Sequence, residues 1–197
     1  MSKSQYSLSF TTGASLFRES LALAELKKDI DDWKTVKSKA IEENILQART
    51  ESTSRKLCGE VIRRLKHLST EELDLLSEGQ EDEQRHLVWL SICRHYRLIK
   101  DFAIEVLSQH YDSSNYGISH HDYDVFFNAK ADWHDNLHDA SDLTKSKARQ
   151  VLFKMLRESG LINEQDEIVN QNVSERLLEL IRAESRDDVR IYPGMGS

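Results

Sequence analysis

The sequence predicts an all-α, compact helical protein with two helix-turn-helix motifs, the C-terminal one winged by a small β-hairpin. Three observations carry this prediction. One proline and seven glycines in 197 residues leave few interruptions to long helices. Leu, Glu, Lys, Arg and Ala dominate, and all of them favour helix. The β-branched residues are scattered instead of alternating, so no strand period competes.

After a short extended N-terminal stretch, "TTGASLFRESLALAELKK" places Leu16, Phe17, Leu21, Leu23, Ala24 and Leu26 at mixed three- and four-residue spacings, an amphipathic helix capped by Thr11 or Thr12. A second helix spans about Trp33 to Ala48, with Val36, Ala40, Ile41, Ile45 and Leu46 on its apolar side. The polar break "RTEST" leads into a third, from about Ser52 to Leu68. "STEELDLLSEG" opens with the Ser69/Glu72 spacing of a capping box and stops at Gly79. From Glu83 to about His110 the chain is densely apolar, which suggests a central helix or bent pair buried on more than one side.

"YDSSNYG" is the clearest linker. Beyond it come a helix near 120–130, a short helix at "DNLHDA" and a longer one from Thr144 to Ser159 ended by Gly160. Two apolar pairs, Leu161-Ile162 and Ile168-Val169, flank a polar turn and predict a small β-hairpin. A last helix, "VSERLLELIRAE", precedes a loose tail. Two regions follow. Residues 1–111 hold the first helix-turn-helix (about 34–68) and the central core helices. Residues 118–197 form a winged-helix-like region with the second (about 120–159), and both are expected to pack as one globular unit.

The strongest apolar stretch, "LVWLSIC", is broken within about a third of the roughly 20 residues a membrane span needs, and no signal-peptide core precedes it. Both features predict a cytoplasmic protein. Cys58 and Cys93 fit no metal or redox spacing and read as small buried apolar residues. The net charge of −7 argues against nucleic acid, but its distribution does not. Residues 1–67 carry 13 Lys and Arg against 9 acids, residues 68–143 carry 5 against 16, and residues 144–197 carry 9 against 9. A local basic patch can still attract phosphate.

Two segments concentrate that charge. "TSRKLCGEVIRRLK" (53–66) and "TKSKARQVLFKMLR" (144–157) align without gaps, Thr53 on Thr144, Lys56 on Lys147, Arg63 on Lys154 and Lys66 on Arg157. Each follows a shorter helix and a polar turn, the order of a helix-turn-helix unit, whose second helix enters the DNA major groove N-terminus first. In the first, Leu57, Val61, Leu65 and Leu68 face the core, leaving Ser52, Arg55, Gly59, Arg63 and Lys66 outward. In the second, Ala148, Val151, Leu152 and Met155 face in, leaving Lys145, Lys147, Arg149, Gln150 and Lys154 outward.

Lys145, Lys147 and Arg149 would then sit near a helix start, where the macrodipole disfavours cations unless a polyanion completes the site. The DNA-binding candidates are Arg49, Ser52, Thr53, Arg55, Lys56, Arg63 and Lys66 on the first segment. On the second they are Thr144, Lys145, Lys147, Arg149, Gln150 and Lys154. Their hydroxyls and cations suit phosphates, while Arg55, Arg149 or Gln150 could reach base edges. The competing reading is two solvated helix faces. The hairpin's Glu164, Asp166 and Glu167 suit a DNA-tracking wing poorly.

Other chemistry is thinly represented. "HDNLH" puts His134 and His138 one turn apart as in a zinc-protease helix, but Asp135 replaces the usual Glu and no third ligand is evident beyond His120 or His121. There is no P-loop, dinucleotide fingerprint or nucleophile elbow, so no catalytic residue, metal or cofactor is expected. Asn44 and Arg49 are candidates either to clamp a backbone or to cap a turn. Trp33, Trp89 and Trp133 read as core anchors.

The runs "ENILQARTESTSRKLCGEVIRRL", "WLSICRHYRLIKDFAIEVL", "DYDVFFNAKADW" and "TKSKARQVLFKMLRESGLI", in this order, resemble the BrxA family, the small accessory component of bacteriophage exclusion (BREX) defence systems; the resemblance extends from about Tyr6 to Tyr192. It implies an all-helical, cytoplasmic, non-enzymatic protein that binds double-stranded DNA through two helix-turn-helix motifs beside a basic groove. Other BREX components are possible partners, and from the sequence itself neither a membrane nor a small-molecule substrate is expected. Family members have been described as inner-membrane proteins, which the hydropathy here argues against. A protein-protein adaptor within the defence complex and an RNA-binding helical protein are the alternatives.

Overall fold

The structure, a computed structural model, describes residues 6–11 and 13–195. Its described residues are predominantly helical and divide into two compact units. One comprises residues 16–95 with 173–184. The other comprises residues 96–172 with the described parts of 1–15 and 185–197. The chain changes unit at His95–Tyr96, while the turn-rich stretch at 113–119 lies inside the second unit.

The first unit contains α1 (Phe17–Lys28), α2 (Trp33–Glu42), α3 (Glu51–Leu65), α4 (Thr70–Glu78), α5 (Glu81–His95) and α11 (Glu175–Glu184). α1 packs on α3, α4 and α2, and α5 packs on α3 and α4. The anticipated threonine cap of α1 is corrected. The helix begins at Phe17, after Leu16 in the left-handed region (φ 55°), because Ser15 is turned aside to donate its N–H and hydroxyl to Glu158 (2.8 and 2.6 Å). Thr12 lies outside the described residues.

α2 ends at Glu42, six residues before the sequence pattern suggests. Asn44 and Gln47 both take positive φ, and the Asn44 side chain accepts from and donates to Ala48, so the following turn is braced instead of helical. Asn44 therefore caps this turn. The Ser69 capping box forms as read, and Gly79 ends α4.

The core of this unit is Leu23, Val36, Cys58, Val61, Leu65, Leu75 and the fully enclosed Trp89. Each such Leu or Val contributes about 1.5–3 kcal/mol by leaving water. Beneath α3 lies a polar inclusion that residue pattern hides. Arg64 is fully buried with Glu60 at 2.8 Å, and Glu72, also fully buried, receives two hydrogen bonds from Arg94 (2.5 and 2.9 Å).

In the second unit the apolar run continues as α6 (Arg97–Phe102), a π-helical turn (Ala103–Ser108) and α7 (Gln109–Asp112). The expected bent pair thus bends at Tyr96, whose extended backbone accompanies a buried ring packed edge-on against Phe10. α8 (His120–Ala131), α9 (Asp135–His138) and α10 (Asp142–Glu158) follow. Gly160 takes φ 73° just past α10, a conformation that favours glycine.

The predicted hairpin is reduced to isolated antiparallel bridges, Ile162 with Ile168 and Gly117 with Glu167. Asn163 shapes its turn by accepting from the N–H groups of Gln165 and Glu167, and Arg157 of α10 binds Asp166. The C-terminal segment is not loose. A 3₁₀ turn (Arg186–Ile191) buries Val189, Ile191 and Tyr192, and Lys100 anchors Asp188 at 2.5 Å. No described helix is long and apolar enough to cross a membrane.

Candidate nucleic-acid interface

The two basic segments begin identically, though not as cations set against a dipole. α3 starts one residue before Ser52, with Thr50 accepting from the Thr53 N–H (3.2 Å) and Glu51 in the first turn. α10 starts at Asp142, with Ser141 accepting from the Thr144 N–H (3.2 Å). In each, the cap hydroxyl and the threonine hydroxyl three residues on stand 2.9 Å apart. The acidic first turns satisfy the macrodipole, and Lys145 and Arg55 fall in the second turn, where its effect has faded. The alignment of the two segments therefore extends three residues upstream, Thr50 on Ser141 and Glu51 on Asp142.

On α3, Ser52, Thr53, Arg55, Lys56, Arg63 and Lys66 are exposed, and Arg49 is exposed just ahead of it. Two of these cations are engaged within the helix: Arg55 donates through Nε to Glu51 (3.0 Å) and Arg63 through its guanidinium to Glu60 (2.6 Å). Arg49, Lys56 and Lys66 have no acidic partner within 4 Å among the described residues. Gly59 is half-buried, with the Lys37 ammonium 3.6 Å from where a Cβ would stand. Leu57, assigned to the core, is half-exposed.

On α10, Lys147, Gln150 and Lys154 are exposed and Thr144 is half-buried. Lys154 leans toward Glu158 (3.6 Å), while Lys147 has no acidic partner among the described residues. Lys145 is half-buried, its ammonium 5.9 Å from the Phe127 ring centre. Arg149 does not face outward. It crosses to α8, donates to Asp124 (2.5 Å) and buries its Nε beside the fold's interior, because position 149 lies next to the buried stripe of Ala148 and Leu152. Burial pushes the neighbouring Tyr123 phenol well above its usual value, with the Asp124 charge adding to the shift.

Two cations that join Arg49, namely Lys34 and Lys37, were missed from sequence. The turn between α2 and α3 closes a groove of about 750 Å³ lined by Lys34, Lys37, Ile41, Arg49 and Ser54. "KTVKSKAI" carries the signal, since Lys34, Lys37 and Ile41 recur at helical spacing, but only the apolar side of this helix was read. Elsewhere, Trp89 is a core anchor and Trp33 is partly covered by Lys27, but Trp133 is 73% exposed, correcting its assignment to the core. His134 precedes α9 and packs edge-on against Tyr6 at 4.4 Å. Cys58 and Cys93 are buried and unbridged, and burial pushes the Cys58 thiol up.

These features define an all-α protein of two helical units, each exposing a hydroxyl-capped, lysine-bearing helix. The chain belongs to the BrxA family, whose model matches residues 4–185. It is 28% identical over 151 residues to the BREX protein BrxA of Escherichia coli O9:H4 (strain HS), covering 77% of this chain and 71% of the relative. To the BREX protein BrxA of Bacillus cereus (strain H3081.97) it is 30% identical over 130 residues, 66% of this chain and 65% of the relative, just under two thirds of that protein's length. The fold recurs in the crystal structure of an uncharacterized protein from Magnetospirillum magneticum, with a TM-score of 0.79, 17% identity and coverage of 95% and 98%.

Proposed function

We propose that this chain is a non-enzymatic, cytoplasmic component of a bacterial BREX phage-defence system that binds double-stranded DNA through the exposed faces of α3 and α10, each the second helix of a helix-turn-helix unit. The observation that carries the reading is the shared geometry of the two helices. Equivalent hydroxyl caps are followed at equivalent positions by Lys56 and Lys147, both exposed and without an acidic partner among the described residues. Unneutralised lysines one to two turns from a helix start suit backbone phosphates, because each contact releases a condensed counterion.

The bridge between Gly117 and Glu167, together with that between Ile162 and Ile168, supports a winged arrangement around α8 and α10. Arg157 binds Asp166 and so removes part of the wing's repulsion for phosphate. BREX membership comes from the names of the curated relatives.

Gel mobility of a mixed-sequence duplex tests the reading. The unaltered protein should shift the duplex, and Lys56→Glu and Lys147→Glu should weaken the shift. A full shift with both variants would remove the proposed surface. The exposed Trp133 and Val125 favour a second reading, an adaptor that docks another BREX protein. Co-purification that survives nuclease treatment and is lost on Trp133→Ala would support it.

A further inference from the structure

α8 is apolar on two faces. Tyr123, Phe126, Phe127 and Ala131 are buried in the second unit, whereas His121, Val125, Ala129 and Trp133, at four-residue spacing, form an exposed stripe that runs off the end of the helix. A surface helix ordinarily keeps a single apolar face, and an exposed apolar patch with a polar rim marks an interaction surface. Trp133 is 73% exposed and Val125 56%, so no described residue covers them.

This stripe forms one wall of a groove of about 570 Å³ within the second unit. The π-helical turn and α7 form the other wall, with Glu105, Val106 and Gln109. Such turns are rare and frequently mark functional sites. From His121 to Ala129 the α8 wall runs about 12 Å at 1.5 Å per residue, an elongated shape that suits a helix lying along it better than a compact ligand.

The rim is acidic. Residues 101–142 hold nine Asp and Glu against one Lys, and that residue, Lys130, is held by Glu105 at 2.6 Å with Asp101 at 4.0 Å. From outside the stretch, Arg97 and Arg149 answer Asp101 and Asp124. Asp122 has only His110 as a basic neighbour, at 3.8 Å. Asp112, beyond Gln109 on α7, and Asp132 and Asp135, on either side of Trp133, have no basic partner within 4 Å among the described residues. Such a face repels a polyanion and attracts a cationic partner.

We propose that this groove docks a basic amphipathic helix of a partner protein. Its apolar residues would seat on Val125, Ala129 and Trp133, and its Lys or Arg side chains would face Asp122 and Asp132. Docking of this kind rests on the adaptor reading above and specifies the chemistry of the partner.

Fluorescence anisotropy of a labelled amphipathic Leu/Lys peptide of about five helical turns, titrated with the full chain in the absence of DNA, tests this. Saturable binding is expected. A Leu/Glu peptide of the same pattern, and a Ser/Lys peptide without an apolar stripe, should each bind at least about tenfold more weakly. Trp133→Ala should weaken the Leu/Lys peptide by about tenfold or more, and Asp132→Lys by about threefold or more at low salt. Asp132 caps the C-terminal end of α8, where a cation is favoured. Asp132→Lys should therefore leave the melting temperature unchanged or higher, which separates lost docking from lost folding.

Equal binding of the Leu/Glu and Leu/Lys peptides would overturn the proposal, as would undiminished binding in both folded variants. Sedimentation that shows a dimer dissociated by Trp133→Ala would assign the groove to a second copy of this chain and overturn it too. If another BREX protein co-purifies through Trp133 while the Leu/Lys peptide never saturates, the adaptor reading stands and the basic helix does not. A chain that binds the peptide as expected but never shifts a duplex supports the docking and removes the DNA reading alone.

Discussion

Salt dependence offers the sharpest measure of the proposed DNA contact. Four exposed cations on or beside the two helices lack an acidic partner among the described residues: Arg49, Lys56 and Lys66 with α3, and Lys147 on α10. Arg55, Arg63, Lys154 and Arg149 are partly or wholly neutralised by Glu51, Glu60, Glu158 and Asp124. If the four free cations each neutralise one phosphate, log affinity should fall with log salt at a slope of about −3.6, or about 150-fold between 50 and 200 mM.

Fluorescence anisotropy of a labelled mixed-sequence duplex across that range gives the slope directly. Lys147→Glu should reduce it to about −2.7, a loss of about 40-fold over the same interval. A slope that stays near −2.7 both with and without Lys147 would mean that α3 alone engages the duplex. If neither Lys147→Glu nor Lys56→Glu changes the slope, the reasoning from free cations to phosphate contacts is refuted.

Three further outcomes follow from the side-chain geometry. Arg149→Met should leave duplex affinity within about twofold and cost less than about 1 kcal/mol of stability in urea, because its Asp124 partner is 45% exposed; a loss of binding comparable to Lys147→Glu would show that Arg149 leaves Asp124 for DNA. Glu72→Gln should cost about 3–5 kcal/mol of unfolding free energy by taking away the carboxylate that balances the partly buried Arg94 charge, which keeps only neutral acceptors such as the His67 carbonyl, and a cost below about 1 kcal/mol would show the pair to be weakly coupled.

The third outcome concerns His67 and His95, whose ring nitrogens stand 3.1 Å apart. Burial holds both below the ordinary imidazole value, helped by Arg94 at His67 and by His67, Arg63 and Arg64 at His95, with Glu60 opposing. A lowered folded-state value favours the neutral rings. Their contribution is therefore present above about pH 6.5 and is lost as pH falls through the folded-state values. Urea melts at pH 7.5 and 5 should show this loss, and His95→Gln should flatten it; an unchanged pH dependence in that variant would exclude the pair as its source.

Where local spacing decides the outcome, the sequence was readable. The Ser69 box depends on two side chains three residues apart, and the Gly160 stop on one residue's access to positive φ. The stripes that bury α3 and α10 follow from helical periodicity, and Cys58 and Cys93 lie inside as small apolar residues should. Family membership was legible too, because it rests on residues spread over nearly the whole chain.

Periodicity could not tell which charges are free. It assigns Arg149 and Lys147 to one outward set, yet one is held by Asp124 at a distance of 25 residues and the other is exposed without an acidic partner among the described residues. The same holds for the paired arginines: Arg63 reaches the surface while Arg64 is sealed in with Glu60.

The sequence by itself determined a helical chain, its apolar faces, most of its helix ends and its family, since those depend on residues within a few positions of one another or on patterns along the chain. Only the tertiary structure decided where the chain passes between units, that α2 stops at a braced turn and that Trp133 stays exposed. It also decided which cations keep their charge uncompensated and that Glu105 and Trp133 line one groove. Those outcomes depend on partners distant in sequence, whose approach is fixed by packing and not by any local spacing.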